Sequence, residues 1–211
     1  MEATTTPAPA LACEFPSTRF GLTCLGSRWR AFGIQLHPFT VGHAILLDAI
    51  GSPFGGGPSA FTIQNPNPAD ALLAMWICSR EWQQAANNLG SGSTRRTIMV
   101  WRVAAALLPR RWQAGLSVFA RYLDEALSLP QMWQSEDGAK GKTRGCPARL
   151  AVILKLTADI GMTWREAMGT PMALASWLIC ADSERNGGAS IVSDKEAVRI
   201  AMMEARDAGK R

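Results

Sequence analysis

Asn67-Pro-Ala-Asp-Ala-Leu-Leu-Ala-Met-Trp-Ile-Cys78 is the stretch on which the fold turns. Asn67 is a residue type that caps helix N-termini, and Pro68 fits the first helical position because its missing N–H would have had no partner there. Asp70 sets negative charge against the positive end of the helix dipole. Beyond this start, Leu72, Leu73, Met75, Trp76 and Ile77 spread around the whole circumference of a helix. A helix that is apolar all round has no face to give to water, so other elements must enclose it.

On its N-terminal side, Gly51-Ser-Pro-Phe-Gly-Gly-Gly-Pro58 and Asn65-Pro66 read as loop. Thr40 is placed to cap a helix through Val41, Ile45, Leu46 and Ala49, closed by Gly51. Gly33-Ile-Gln-Leu36 reads as one short extended stretch before His37-Pro38. Residues 1–30, rich in Thr, Pro and Ala at the start and punctuated by Gly21 and Gly26, read as a flexible arm.

On its C-terminal side, a third helix is expected from about Arg95 to Leu108, stopped by Pro109. Trp112, Leu116, Phe119, Leu123 and Leu127 then keep a helical period up to Pro130. Gln134–Cys146 reads as a polar loop. A fifth helix starts with Pro147 as its first residue, carries Leu150, Ile153, Leu154 and Leu156, and ends at Gly161. Thr163-Trp-Arg-Glu166 and Ser193-Asp-Lys-Glu196 are both capping-box patterns, in which a hydroxyl and a carboxylate satisfy each other's backbone donors. Between them, Gly169 stops a short helix, Thr170 caps the next with Pro171 as its first residue, and Gly187-Gly188 closes it. With almost no strand signal, the expected fold is all-α, a single compact bundle of about six to eight helices over residues 31–205. Residues 206–211 read as a frayed tail.

The whole chain has 211 residues, 47% hydrophobic and only 18% charged, with a net charge of +5. That much apolar surface excludes a disordered chain. The longest apolar runs, Ala71–Cys78, Val103–Leu108 and Ala173–Ala181, fall well short of the roughly 20 residues that a membrane span needs. They read as core helices. Glu2 stands where a signal peptide carries positive charge, and no apolar segment follows, so the expected compartment is the cytoplasm. Cys13, Cys24, Cys78, Cys146 and Cys180 are widely spaced and make no metal or disulfide pattern. Eight tryptophans are expected mainly in the core, with Trp133 and Trp164, near helix ends and loops, as the candidates for meeting a partner.

Chemistry leaves little trace. Gly138-Ala-Lys-Gly-Lys-Thr143 lacks the first glycine and the leading strand of a phosphate loop, and Gly55-Gly-Gly57 lacks its spacing. His37 and His43 have no short-spaced cysteine or carboxylate pair to complete a metal site. A Cys–His nucleophile built on His43 is the one catalytic option, and Asp124-Glu125 and Glu136-Asp137 read as solvated pairs. No catalytic residue, metal or cofactor is therefore expected. Between Gly92 and Leu150, ten Lys/Arg residues face four acids. A nucleic-acid-binding module using Arg95, Arg96, Arg110, Arg111, Lys140, Lys142 and Arg144 is the alternative function of segment 92–150.

The stretch Ile160-Gly-Met-Thr-Trp-Arg-Glu-Ala-Met-Gly-Thr-Pro-Met-Ala-Leu-Ala-Ser-Trp177 resembles phage tail assembly chaperones. It has a helix ending in Gly, a short Thr-Trp-x-Glu helix, and a Met-x-x-Pro-Met step into a longer one. The resemblance implies a helical, non-enzymatic protein of the host cytoplasm that binds the tape measure and tail-tube proteins and has no membrane partner. On that reading the contact residues are Trp164, Met168, Pro171 and Met172. Met202 and Met203 would join Met168 and Met172 either in an adaptable groove or in filling core gaps.

Overall fold

The computed structural model describes residues 29–55, 67–129, 132–134, 147–187, 189–192 and 194–208. At its centre lies the helix predicted from Asn67, α2 (Pro68–Cys78). The Asn67 side chain accepts from the Ala69 N–H at 3.1 Å, with Pro68 at the first position and Asp70 in the first turn. Trp76 and all the apolar residues from Ala71 to Cys78 are buried except Leu73, which packs at the edge of the core. Four elements pack around this helix. They are α1 (Val41–Ala49), α3 (Trp82–Asn88), α4 (Gly92–Leu107) and, through shared core residues, α5 (Pro109–Leu127).

The remaining helices close the bundle. α6 (Ala148–Leu154) runs into a wider π turn at Lys155–Asp159, then come α7 (Trp164–Gly169), α8 (Met172–Arg185) and α9 (Asp194–Ala208). The architecture is all-α, with nine α-helices among the described residues. Two small antiparallel pairings complete it. β1 (Arg30–Ala31) pairs with β2 (Ile34–Gln35), and β3 (Met132–Gln134) pairs with β4 (Ala189–Ile191), Trp133 opposite Ser190. A single core cluster runs from Ala31 to Ala175, so the central and C-terminal helices share one interior.

Several local expectations need correction. The chain at 30–35 is a hairpin rather than a lone extended stretch, because Phe32 and Gly33 both adopt positive φ (50° and 79°) and turn it back on itself. Two consecutive left-handed residues form the two-residue turn whose twist suits a hairpin. Trp29 packs against the core and Arg30 begins β1, so the packed body starts before residue 31. α4 begins three residues earlier than Arg95. Ser91 caps it, its hydroxyl accepting from the Thr94 N–H at 3.2 Å. Pro147 caps α6 instead of entering it. Thr170 ends α7 rather than starting α8, its hydroxyl donating to the Glu166 carbonyl at 2.7 Å. α9 continues to Ala208, past the expected end of the packed region. Residues 1–28 and Ser193 lie outside the described residues.

The starts of α1 and α8 are stitched together. Val41 N–H donates to Thr170 O at 3.1 Å, and Met172 N–H donates to Phe39 O at 2.7 Å. This bridge holds Pro171 against Thr40, and α7 is thereby fixed beside the N-terminus of α1.

Candidate partner-binding surfaces

The four residues expected to meet a partner are not equivalent in space. Trp164 opens α7 with more than half of its surface in water (56%). Its position follows from the capping box beneath it. Thr163 Oγ1 accepts from the Glu166 N–H, and Glu166 Oε2 accepts from the Thr163 N–H at 2.8 Å. The Thr163 hydroxyl also donates to Glu166 Oε2 at 2.7 Å, and this bond, with the one from the Thr163 N–H, holds the carboxyl of Glu166 below the usual carboxylate range. Met168 and Met172 are instead buried in the core, and Pro171 is half-buried in the bridge to Thr40. Residues at i and i+4 on so short a helix share a face, yet here Trp164 lies at the free end and Met168 beneath it. Met202 and Met203 are exposed on α9, so the four methionines do not line one accessible groove.

Beside α7 lies a cleft of about 380 Å³ walled by His37, Pro38, Glu81, Trp82, Arg165 and Pro171. Its inner wall contains His43, buried and fully engaged. Nε2 donates to Arg80 O at 2.7 Å, and Nδ1 accepts from the Thr40 N–H at 3.1 Å. The ring thus completes a capping box in which a histidine does the work of the usual glutamate. Burial lowers its pKa to about 4, helped by His37 and opposed by the Arg80 carbonyl. A neutral ring with both nitrogens committed has none left to deprotonate a nucleophile. The described thiols are poor nucleophiles as well, because burial pushes Cys78 up to about 12 and also raises Cys180.

A third surface was not anticipated. α4 turns Thr94, Ile98, Trp101 and Ala105 toward the core, and Met99, Val100, Val103 and Leu107 away from it. These four are 54–74% exposed and fall at i, i+1, i+4 and i+8, one stripe along the helix. Val103–Leu108 is therefore not a core helix. Its apolar residues lie on both faces of α4, and only Ala105 is enclosed. The signal was present in the sequence, as a run from Ile98 to Leu108 that is apolar but for Arg102. That pattern predicts burial, and the structure leaves half of it open.

Arginine surrounds this stripe. Arg95, Arg96 and Arg102 on α4, with Arg110 and Arg111 on α5, are all exposed, and no Asp or Glu occurs between Glu81 and Asp124. Lys140, Lys142 and Arg144, along with the glycine-rich 138–143 segment and Glu136-Asp137, lie outside the described residues, as does the Trp133 side chain. Arg149 is partly buried and tied to Asp48 at 3.4 Å and to the Gly55 carbonyl, which ties α6 to α1. Among the described residues, no group of three or more His, Cys, Asp or Glu could hold a metal ion. No described helix is long and apolar enough to cross a membrane. No family model, curated protein or solved structure matches this chain.

Proposed function

We propose that this chain is a non-enzymatic phage or prophage tail-assembly protein that binds other tail proteins, with the tape measure and tube subunits as its partners. The observation that carries this reading is Trp164. It is a large aromatic, exposed at the start of α7, within the stretch that resembles tail assembly chaperones. Exposed aromatics of this kind anchor protein interfaces because they bury much area at little conformational cost. Met168 and Met172 serve this surface from below, as the packing that fixes α7 and α8, while Trp164 and Pro171 make the contact. The alternative, nucleic-acid binding by segment 92–150, has the exposed Arg95, Arg96, Arg102, Arg110 and Arg111 on α4 and α5 in its favour. Four aliphatic side chains set among those arginines would gain nothing from a phosphate backbone, so the protein-binding reading is preferred.

The test is a pull-down of the tagged full chain from its host during phage induction, at low and at moderate salt. Recovery of a long helical protein or of tube subunits, held at both salts and lost in Trp164→Ala, is the expected result. Trp164→Ala should unfold as cooperatively as the wild type, since the indole is mostly solvated. Loss of cooperative unfolding would put Trp164 in the core and remove the reading. So would recovery of nucleic acid alone that falls steeply with salt, as counterion release demands.

A further inference from the structure

The outer face of α4 is an apolar stripe, exposed along its length, with no described element packed on it. Met99, Val100, Val103 and Leu107 span about 12 Å of helix at 1.5 Å per residue. One helical row across, Ala104 and Leu108 line a cleft of about 490 Å³ shared with Phe32, Trp101 and Val118. Arg30 and Arg111 also line this cleft, while Arg95, Arg96 and Arg102 accompany the stripe. The surface is thus convex and aliphatic along one line, concave beside it, and positively charged along its border.

We infer that this face docks an amphipathic helix of a partner protein whose apolar stripe is flanked by Asp and Glu. Charge selects the occupant. A second copy of this face would bring arginine-bordered surface against arginine-bordered surface with no acid to answer it, since no Asp or Glu occurs between Glu81 and Asp124, and like charges at close range suppress such pairing. An acid-flanked helix instead meets each arginine with a carboxylate, a geometry that guanidinium favours. Shape selects it as well. An anionic lipid surface would accept the stripe and leave the adjoining cleft unfilled, whereas a helix can lay its stripe against α4 and insert one bulky side chain into the cleft. Nucleic acid would use the arginines and leave the aliphatics exposed. This surface is distinct from Trp164, so the inference stands or falls apart from the tail-assembly reading.

The experiment uses the purified full chain and fluorescence anisotropy at low and moderate salt. One probe is a synthetic helical peptide with Leu and Phe on one face and Glu on both flanks, and the other is the same peptide with Lys in place of Glu. A single-stranded oligonucleotide and phosphatidylserine vesicles are the competing probes. The Glu peptide is expected to bind, with the Lys peptide weaker by about tenfold or more. Val103→Asp should weaken Glu-peptide binding by at least about tenfold, with the urea midpoint unchanged, since Val103 is on the open face. Arg96→Ala should weaken binding and flatten its salt dependence. Equal binding of the two peptides, binding only of the oligonucleotide or vesicles, binding of no probe, or an unaffected Val103→Asp would each overturn the inference.

Discussion

His43 occupies the third position of α1 with its ring enclosed between Thr40 and the Arg80 carbonyl, and its ionisation is set by that enclosure. The folded ring titrates near 4, against 6.5 for a solvated histidine. Between those values the unfolded chain binds a proton that the folded chain refuses. Stability is therefore fully present above about pH 6.5 and is lost as pH falls toward 4, with the full gap worth about 3 kcal/mol. Urea midpoints measured from about pH 7 down to about pH 5, above most carboxylate titration, should fall in the wild type. A His43→Asn variant, weaker at the upper end, should show a shallower fall. Parallel pH profiles for the two would mean that His43 is not the titrating group. The Thr40 cap was legible in the sequence because it joins neighbours three residues apart. The role of His43 was not, since its second partner, Arg80, is 37 residues away.

At the level of elements, the N-terminal hairpin and α5 show how one small residue sets a contact. Gly115 lies on α5 where the hairpin crosses it, and a Cβ built there would stand 2.9 Å from both the Cβ and the backbone N of Phe32. Phe32 is itself held at positive φ and packs edge-on against Trp112, ring centroids 5.5 Å apart. Backbone gives way poorly, so Gly115→Ala should destabilise by about 1–3 kcal/mol, as overpacked sites do. Gly169→Ala is the comparison, because a Cβ there meets nothing within 4 Å and the glycine ends a helix at ordinary φ. Its thermal midpoint should hold or rise slightly. Equal losses in the two variants would show that helix propensity, and not the approach of Phe32, governs Gly115. Neither the hairpin nor this crossing was legible in sequence. A Phe-Gly turn lacks the Asn-Gly or Asp-Gly signature, and the contact links residues 83 positions apart.

Across the whole molecule, one aromatic and aliphatic core joins elements distant in sequence. Tyr122 stacks on Phe119, meets Phe39 edge-on, and donates its hydroxyl to the His37 carbonyl at 2.8 Å. Cys78, at the end of α2, lies in the same interior, with its thiol interacting with Tyr122. A thiol raised to about 12 and without solvent access reacts only when the core opens. Alkylation of Cys78, followed by peptide mass analysis so that the other cysteines do not interfere, should be negligible in the native state. It should rise in step with global unfolding as urea is added. Rapid native labelling would mean that α2 exchanges by local opening and is not the centre of one cooperative unit.

The sequence by itself determined the helical class, the central α2, and the caps at Thr40, Asn67 and Thr163. Each rests on side chains bonding to backbone within a turn or on a periodicity confined to one segment. Tertiary structure decided what those segments face. It paired 132–134 with 189–191, widened the end of α6 into a π turn, turned Phe32 back over Gly115, and buried Met168 and Met172 while leaving Trp164 in water. Above all it enclosed one side of α4 and left Met99, Val100, Val103 and Leu107 open. An apolar run records only that burial is favourable. Which face is covered depends on how many neighbours the rest of the chain can bring to it, and α4 lies at the edge of the bundle, where they cover one face.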